Sequence, residues 1–312
     1  VLAGGDAQGA LAILQDGLVA VPGNAALFDR IGRLQWALGD KLQSRATFSN
    51  WAAKHPRAAL AHLRLADVFL ATDKLDAATG SARRALALEP DSLPAQRVMV
   101  TIALRERRFD TALTLSRKVQ QQWPGAAAGF LLEGEVALVQ RQFDVAAAVF
   151  QRALGTRGGE EAAPRLHATL LQAGKAAEAD RFAEAWRKAH SDDLAFAFYL
   201  GDAAMARRDW PAAEARYRAV LDRSPDNAMA LNNIAVTLLR QNKPGAAAAA
   251  ERAVRLSPNS PALMDTLASG YAAEGAADKA LALQQRVVEL VPNSPTFRFN
   301  LAKLQLQAGD KA

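Results

Sequence analysis

Four histidines, His55, His62, His167 and His190, are the side chains of this chain best suited to metal or proton chemistry. No two of them stand at the His-Glu-x-x-His or other close spacing that puts two ligands on one helix face. His55 and His190 read as helix-end or loop residues, and His62 and His167 as helix residues with structural roles. Cysteine is absent, which removes disulfides, thiol nucleophiles and thiolate metal sites. The glycine-rich stretches GGDAQG (4–9) and GTRGGE (155–160) lack the lysine followed by Ser or Thr that makes a phosphate loop. The first reads as a turn between helices, the second as an irregular end of a repeat. The acid pairs Glu160-Glu161 and Asp192-Asp193 stand where a helix start would favour negative charge. No catalytic constellation, metal site or cofactor is implied. What remains is recognition: arginine forks suit carboxylates and phosphates, and asparagine both donates to and accepts from a peptide backbone.

Such side chains need elements to hold them, and these announce themselves through a ladder of prolines. Pro22, Pro56, Pro90 and Pro124 are 34 residues apart; Pro225, Pro258 and Pro292 follow at 33 and 34. Gly158 and Ser191 occupy the two rungs between. A period near 34 without strand signals predicts stacked helix pairs, in which each repeat touches only its neighbours. Twelve residues before the rungs stand Ala10, Ser44, Ala78, Ala112, Ala146, Ala179, Ala213, Ala246 and Ala280. A small residue there lets two helices approach closely. Twenty-four residues before the rungs a second small site holds Gly32, Ala66, Gly134, Gly201 and Ala268, with Val100 as the exception. Glycine costs about 1 kcal/mol against alanine inside a helix, so close contact is expected to outweigh that cost. Gly39-Asp40, Thr72-Asp73, Gly174-Lys175, Asn242-Lys243 and Gly309-Asp310 read as turns within the pairs. Asn24, Asp91, Asp226, Asn259 and Asn293 suit the turns and helix caps after the rungs.

This pattern resembles the tetratricopeptide repeat: a small residue in helix A, an alanine early in helix B, a proline at the exit. Two strong copies are ALNNIAVTLLRQNKPGAAAAAERAVRLSPN (230–259) and ALMDTLASGYAAEGAADKALALQQRVVELVPN (262–293). The resemblance implies an all-α fold, a right-handed α-solenoid superhelix of antiparallel helix pairs. One array is expected over 1–312. Its complete repeats are 25–58, 59–92, 93–126, 127–160, 161–193, 194–227, 228–260 and 261–294, with a lone helix B in 1–24 and a lone helix A in 295–312. The ends read as those of a piece of a longer protein.

In such arrays the concave face is lined by helix A. The positions flanking the small site supply the binding candidates Arg30, Arg33, Arg64, Arg97, Arg105, Arg165, Tyr199, Asn232, Asn233, Arg240, Asn300 and Lys303, with Asp29, Asp67, Glu135, Asp202 and Asp265 among them. Asn233 and Asn300 each precede a small alanine by two residues and resemble an asparagine ladder for extended peptides. The equivalent sites Arg30, Arg64, Val98, Leu132, Leu166, Tyr199 and Thr266 interrupt it. The lysine–asparagine clamp for chaperone C-termini is not matched. Phe48, Trp51, Phe109, Phe143, Phe150, Trp186, Trp210 and Tyr217 read as packing residues. Trp36 lines the groove or packs at the turn.

Charge is uneven. Residues 25–126 hold 16 Lys/Arg against 9 Asp/Glu, whereas 127–312 hold 22 against 21. This excess is ordinary surface charge or a site for an acidic peptide, an anionic polysaccharide or a lipid surface. Nucleic acid is disfavoured, because the arginines are not interleaved with stacking aromatics. The C-terminal repeats, with Asp265-Thr266-Leu267-Ala268 and Arg298-Phe299-Asn300-Leu301-Ala302, also resemble the repeat lipoproteins of the exosortase/PEP-CTERM and exopolysaccharide system. That likeness implies a non-catalytic scaffold for protein or peptide partners in the periplasm or cell envelope, tethered upstream by a lipid anchor. No lipobox or signal peptide stands in this chain. The alternatives are the substrate-binding arm of a larger enzyme of glycosyltransferase type, and a cytosolic adaptor or co-chaperone.

Overall fold

A computed structural model of the chain describes residues 7–307 and residue 309. Residues 1–6, 308 and 310–312 lie outside the described set, so half of the 4–9 stretch and Asp310 of the last turn are not placed. Eighteen α-helices and no strand occur among the described residues. The fold is an all-α solenoid of consecutively packed helix pairs. By internal contacts the chain divides into two compact units, Val1–Phe182 and Ala183–Ala312.

In the first unit α1 (Ala7–Ala20) precedes four A/B pairs. These are α2 (Ala25–Ala37) with α3 (Lys41–Lys54), α4 (Ala59–Ala71) with α5 (Leu75–Leu88), α6 (Leu93–Arg105) with α7 (Phe109–Gln122), and α8 (Ala127–Val139) with α9 (Phe143–Leu154). α10 (Ala162–Gln172) follows, and α11 (Ala176–Ala189) carries the boundary between the units. The second unit contains α12 (Leu194–Ala206) with α13 (Trp210–Arg223), α14 (Ala228–Arg240) with α15 (Ala246–Leu256), α16 (Pro261–Ala273) with α17 (Ala277–Leu290), and α18 (Pro295–Gln307).

Each helix A ends in the same way. One residue takes a left-handed conformation: Gly39, Asp73, Arg107, Arg141, Gly174, Arg208, Asn242, Gly275 and Gly309. At the first of these turns Asp40 N donates to Gln35 O at 2.9 Å and Gly39 N to Trp36 O at 3.0 Å, the paired bonds of a Schellman cap. Asp40 then caps α3 by accepting from Gln43 N at 3.0 Å. The inter-repeat caps differ in part from the sequence expectation. Asn24 caps α2, but Asn227 rather than Asp226 caps α14, accepting from Ala230 N at 2.9 Å. Asp91 instead accepts from Gln122 Nε2.

Pair packing explains the glycines. A methyl on Gly32 would lie 2.4 Å from the ring of Phe48, on Gly134 2.3 Å from Phe150, and on Gly201 2.5 Å from Tyr217. The partner in helix B always stands eight residues before the rung. Where helix B supplies alanine, helix A is free to hold a residue larger than glycine: Ala66 stands at the register of Ala82, both buried. Val100 stands opposite the register of Ser116, both buried. A bulky ring on one helix is thus met by glycine on the other, which keeps the interior filled without overlap. The prolines leave carbonyls that neighbouring repeats satisfy: His62 Nε2 lies 3.1 Å from Pro56 O, Gln96 Nε2 donates to Pro90 O, and Arg252 to Pro225 O.

Candidate binding surface

Within each unit successive helices A pack directly on one another: α4 on α6, α6 on α8, α8 on α10, α14 on α16 and α16 on α18. Side chains flanking the small site therefore reach from one repeat to the next. In the first unit Arg64 Nε donates to Asp29 Oδ1 at 2.6 Å, linking α4 to α2. Arg33 lies 3.6 Å from the other oxygen of Asp29, and Arg64 lies 3.7 Å from Asp67. Burial pushes the Asp67 carboxyl up, against the opposing pull of Arg64. Arg105 reaches back to α4, donating to Leu70 O at 2.8 Å and to Asp73 Oδ1 at 3.3 Å. Arg165 Nε on α10 lies 3.7 Å from Glu135 Oε1 on α8. Burial raises the Glu135 carboxyl, and the charges of Arg165 and Arg97 oppose the rise. Arg30 is exposed on α2.

This arrangement alters the reading of the basic excess. Arg33, Arg64 and Arg105 do not form a uniform positive strip, because Asp29, Asp67 and Asp73 are interleaved with them. Cation and carboxylate alternate along the row.

The second unit uses amides. Asn232 Nδ2 donates to Asn233 Oδ1 at 3.3 Å. The Asn233 amide bonds the Tyr217 hydroxyl, which donates to Asp202 Oδ1 at 2.6 Å. Burial, then the bond to Asp202 and its charge, hold the Tyr217 hydroxyl well above the ordinary tyrosine range. Asn300 Nδ2 donates to Asp265 at 2.8 Å across 35 residues, and Gln284 Nε2 to the same oxygen at 2.7 Å. Arg240, Asn300 and Lys303 meet in one groove of ≈ 580 Å³ over α14, α16 and α18, together with Asp265, Thr266 and Ser269. Tyr199 stands apart from this groove, stacked on Phe196 with ring centroids 5.8 Å apart.

The other chemistry-bearing residues are used for packing. His167 is buried in α10, His55 ends α3 with its ring edge-on to Phe28, and His190 stacks on Trp186 at 3.9 Å. Trp36 packs against the cluster of Phe28, Phe48 and Trp51, with the Lys41 ammonium 5.5 Å from its ring centre. Of the two alternatives for Trp36, the structure selects packing at the turn. Gln284 and Arg157 escaped the sequence reading. The signal for Gln284 was its register, eight residues before a rung and opposite Ala268.

With the geometry in hand, comparison with known proteins gives consistent results. The model of the tetratricopeptide repeat matches residues 30–92, 98–165 and 198–261. No curated protein matches the sequence. Among solved structures, the chain is similar to yeast Tom70, with a TM-score of 0.61 and 13% identity over 91% of this chain and 61% of that one. It is also similar to the Cut9 and Hcn1 hetero-tetramer of the APC/C, with a TM-score of 0.46 and 12% identity over 93% of this chain and 58% of that one. A double mutant of MamA from RS-1 has a TM-score of 0.43 and 21% identity over 48% of this chain and 85% of that one. The chain thus spans about three fifths of the length of the first two. Among the described residues, no helix is long and apolar enough to cross a membrane.

Proposed function

The chain belongs to the tetratricopeptide repeat family, and on that premise we propose that it is a non-catalytic scaffold that holds segments of partner proteins along its row of helices A. The observation that carries this reading is the inter-repeat lattice on that row. Arg64–Asp29, Arg165–Glu135 and Asn300–Asp265 fix polar side chains in place before any partner arrives. Preorganised donors and acceptors lower the ordering cost of binding an extended chain. The working sites are the twelve polar and aromatic candidates from Arg30 to Lys303 named above. We place the scaffold in the bacterial cell envelope, in exopolysaccharide export or the sorting of PEP-CTERM proteins. The support for that placement is the likeness of the 230–312 repeats to the lipoproteins of that system. The alternation of charge on the helix A row favours protein over anionic polysaccharide as the partner.

Site-specific photocrosslinking in the full-length natural protein tests this reading. A photoreactive residue at Thr101 or Thr266, both on helices A, is expected to capture partner protein; one at Arg187 or Arg255, on helices B, is not. Adducts only from the helix B positions would refute the scaffold face. Fractionation of the same cells reads the placement: recovery in the cytosol overturns the envelope assignment and leaves the scaffold assignment standing.

A further inference from the structure

One repeat exit departs from the others. Between α9 and α10 the chain runs through residues 155–161, whereas residues 123–126 suffice between α7 and α8. The longer exit turns back on its neighbour: Arg157 N donates to Gly125 O at 2.9 Å and Ala127 N to Arg157 O at 3.0 Å, forming a parallel bridge. Gly158 takes the left-handed conformation with φ 76°. Gly159 sits so close to the end of α9 that a methyl would lie 2.3 Å from Ala153 O. The result is an exposed arginine, Arg157, at the mouth of a pocket of ≈ 180 Å³ over α6, α8 and α10.

The lining of this pocket is two-sided. Leu93, Leu131 and Leu132 give an apolar floor. Arg97, Arg157 and Arg165 stand around it, from α6, the exit loop and α10. Two carboxylates share the site. Glu135 faces Arg165 at 3.7 Å, and burial pushes its carboxyl up. Glu161 bonds Arg165 through its backbone carbonyl at 2.7 Å. Three guanidinium groups against two acids leave the site one positive charge in excess. Arg97 and Arg157, both exposed, are its open donors.

Resting on the reading of the helix A row as a track for partner segments, we propose that this pocket selects an aliphatic residue adjacent to an acidic one within a partner chain. The aliphatic side chain fills the leucine floor, whose volume suits about one such side chain, and the neighbouring carboxylate takes the forks of Arg97 and Arg157. The floor argues against a sugar polymer, whose hydroxyls would find no hydrogen-bond partner over three leucines.

Selection of phage-displayed random dodecapeptides on the intact chain tests the proposal. Enriched peptides are expected to share a Leu, Val or Ile next to an Asp or Glu. A fluorescein-labelled synthetic copy of one such peptide, followed by anisotropy, is expected to lose about tenfold in affinity with Arg157→Gln or Arg97→Gln, since one charge-assisted bond is lost. The same loss is expected when its acid is changed to the amide. Glu135→Gln, which removes a competing carboxylate, is expected to tighten binding. Circular dichroism of each variant is expected to match the parent, so that lost binding reports the site. Enriched peptides without the pair, or affinity indifferent to Arg97 and Arg157, would overturn the pocket and leave the scaffold reading intact. Enrichment of no peptide would count against the scaffold reading itself. Binding of alginate that depends on Arg97 and Arg157, in place of peptide, would assign the pocket to an anionic polymer and overturn the proposal.

Discussion

The glycine–aromatic pairs invite a quantitative test at Gly134 and Phe150. In an unhindered helix Gly→Ala gains about 1 kcal/mol. Here the new methyl would lie 2.3 Å from Phe150 Cε1, when carbon atoms prefer separations of roughly 3.5–4.0 Å. The ring must give way by more than an ångström, yet Phe150 is fully buried between Gly134, Leu131 and Leu166 in a packed cluster. Overpacking of this kind costs about 1–3 kcal/mol, and two abutting helix backbones put it at or above the upper end. Gly134→Ala is therefore expected to destabilise by about 2 kcal/mol net, reversing the sign that helix propensity alone would give. Phe150→Ala should cost about 3–5 kcal/mol through lost burial and a cavity. The double variant recreates the Ala66 and Ala82 arrangement of an earlier repeat. In it the methyl enters vacated space, so it should be more stable than Phe150→Ala alone by about 1 kcal/mol, a coupling energy of about 3 kcal/mol. Urea unfolding of the intact chain, followed by circular dichroism, supplies the midpoints and slopes. A Gly134→Ala variant as stable as the parent, or additive effects in the double variant, would show that the ring is free to tilt and that glycine is not required by packing.

Three further outcomes follow from single sites. Arg141 holds a left-handed conformation with φ 59°, so Arg141→Gly is expected to stabilise by about 0.5–1 kcal/mol in the same urea assay; a loss of stability would mean that its side chain has a role at the turn. Glu214 is desolvated, but the bonds from Arg218, Gln241 and Lys243 win and its carboxyl is held below the ordinary value. A lowered carboxylate stabilises above its unfolded pKa and loses that contribution as pH falls through the folded one. Glu214→Gln should therefore cost about 1 kcal/mol at neutral pH, and the gap should close below about pH 4; an unchanged gap would remove Glu214 as a pinning charge. All three tyrosines, Tyr199, Tyr217 and Tyr271, are raised, each by burial first. Absorbance at the tyrosinate band is expected to be less than half developed at about pH 10, where free tyrosine is half ionised; a midpoint at or below that pH in the folded chain would contradict the burial of these hydroxyls.

Much of this fold was legible because its constraints repeat. A proline after seven of the nine helices B and an alanine at eight of the nine close crossings recur at a nearly fixed period, so random substitution does not mimic them. In one repeat the proline count and the small site disagree: counting 24 back from Pro258 lands on Ile234, whereas Ala235, two residues after Asn233, holds the small site at the same distance from the left-handed turn at Asn242 as in the other repeats, and it is fully buried. The repeat is one residue short after its turn, at the start of α15, and a rung in the far loop cannot register that. The turns themselves were legible where they use Gly39, Gly174 or Asn242. They were not at Arg107, Arg141 and Arg208, because a left-handed arginine costs only about 1–2 kcal/mol, which two Schellman bonds can offset. The candidate surface was legible as a set of positions and not as pairs. Nothing in spacing says that Arg64 bonds Asp29 in preference to Asp67; that depends on how far apart two stacked helices stand.

The pairing lattice has a consequence for how such a surface can evolve. The glycine–aromatic matches, Gly32 with Phe48, Gly134 with Phe150 and Gly201 with Tyr217, each lie within one repeat. The polar links Arg64–Asp29, Arg105–Asp73, Arg165–Glu135 and Asn300–Asp265 each join one repeat to another. In the first unit, stability within a pair and the chemistry of the face are therefore carried by different residues, whereas in the second Tyr217 and Gln284 serve both. A repeat exchanged for another would keep its own packing and still fold against its neighbours through the small alanines. It would nevertheless unpair an arginine or a carboxylate on each side, leaving charges free for a new ligand. A solenoid built this way can change what it recognises without repacking its interior, and the longer exit loop that carries Arg157 shows that a repeat boundary can add a cation to that face while the helices around it stay packed.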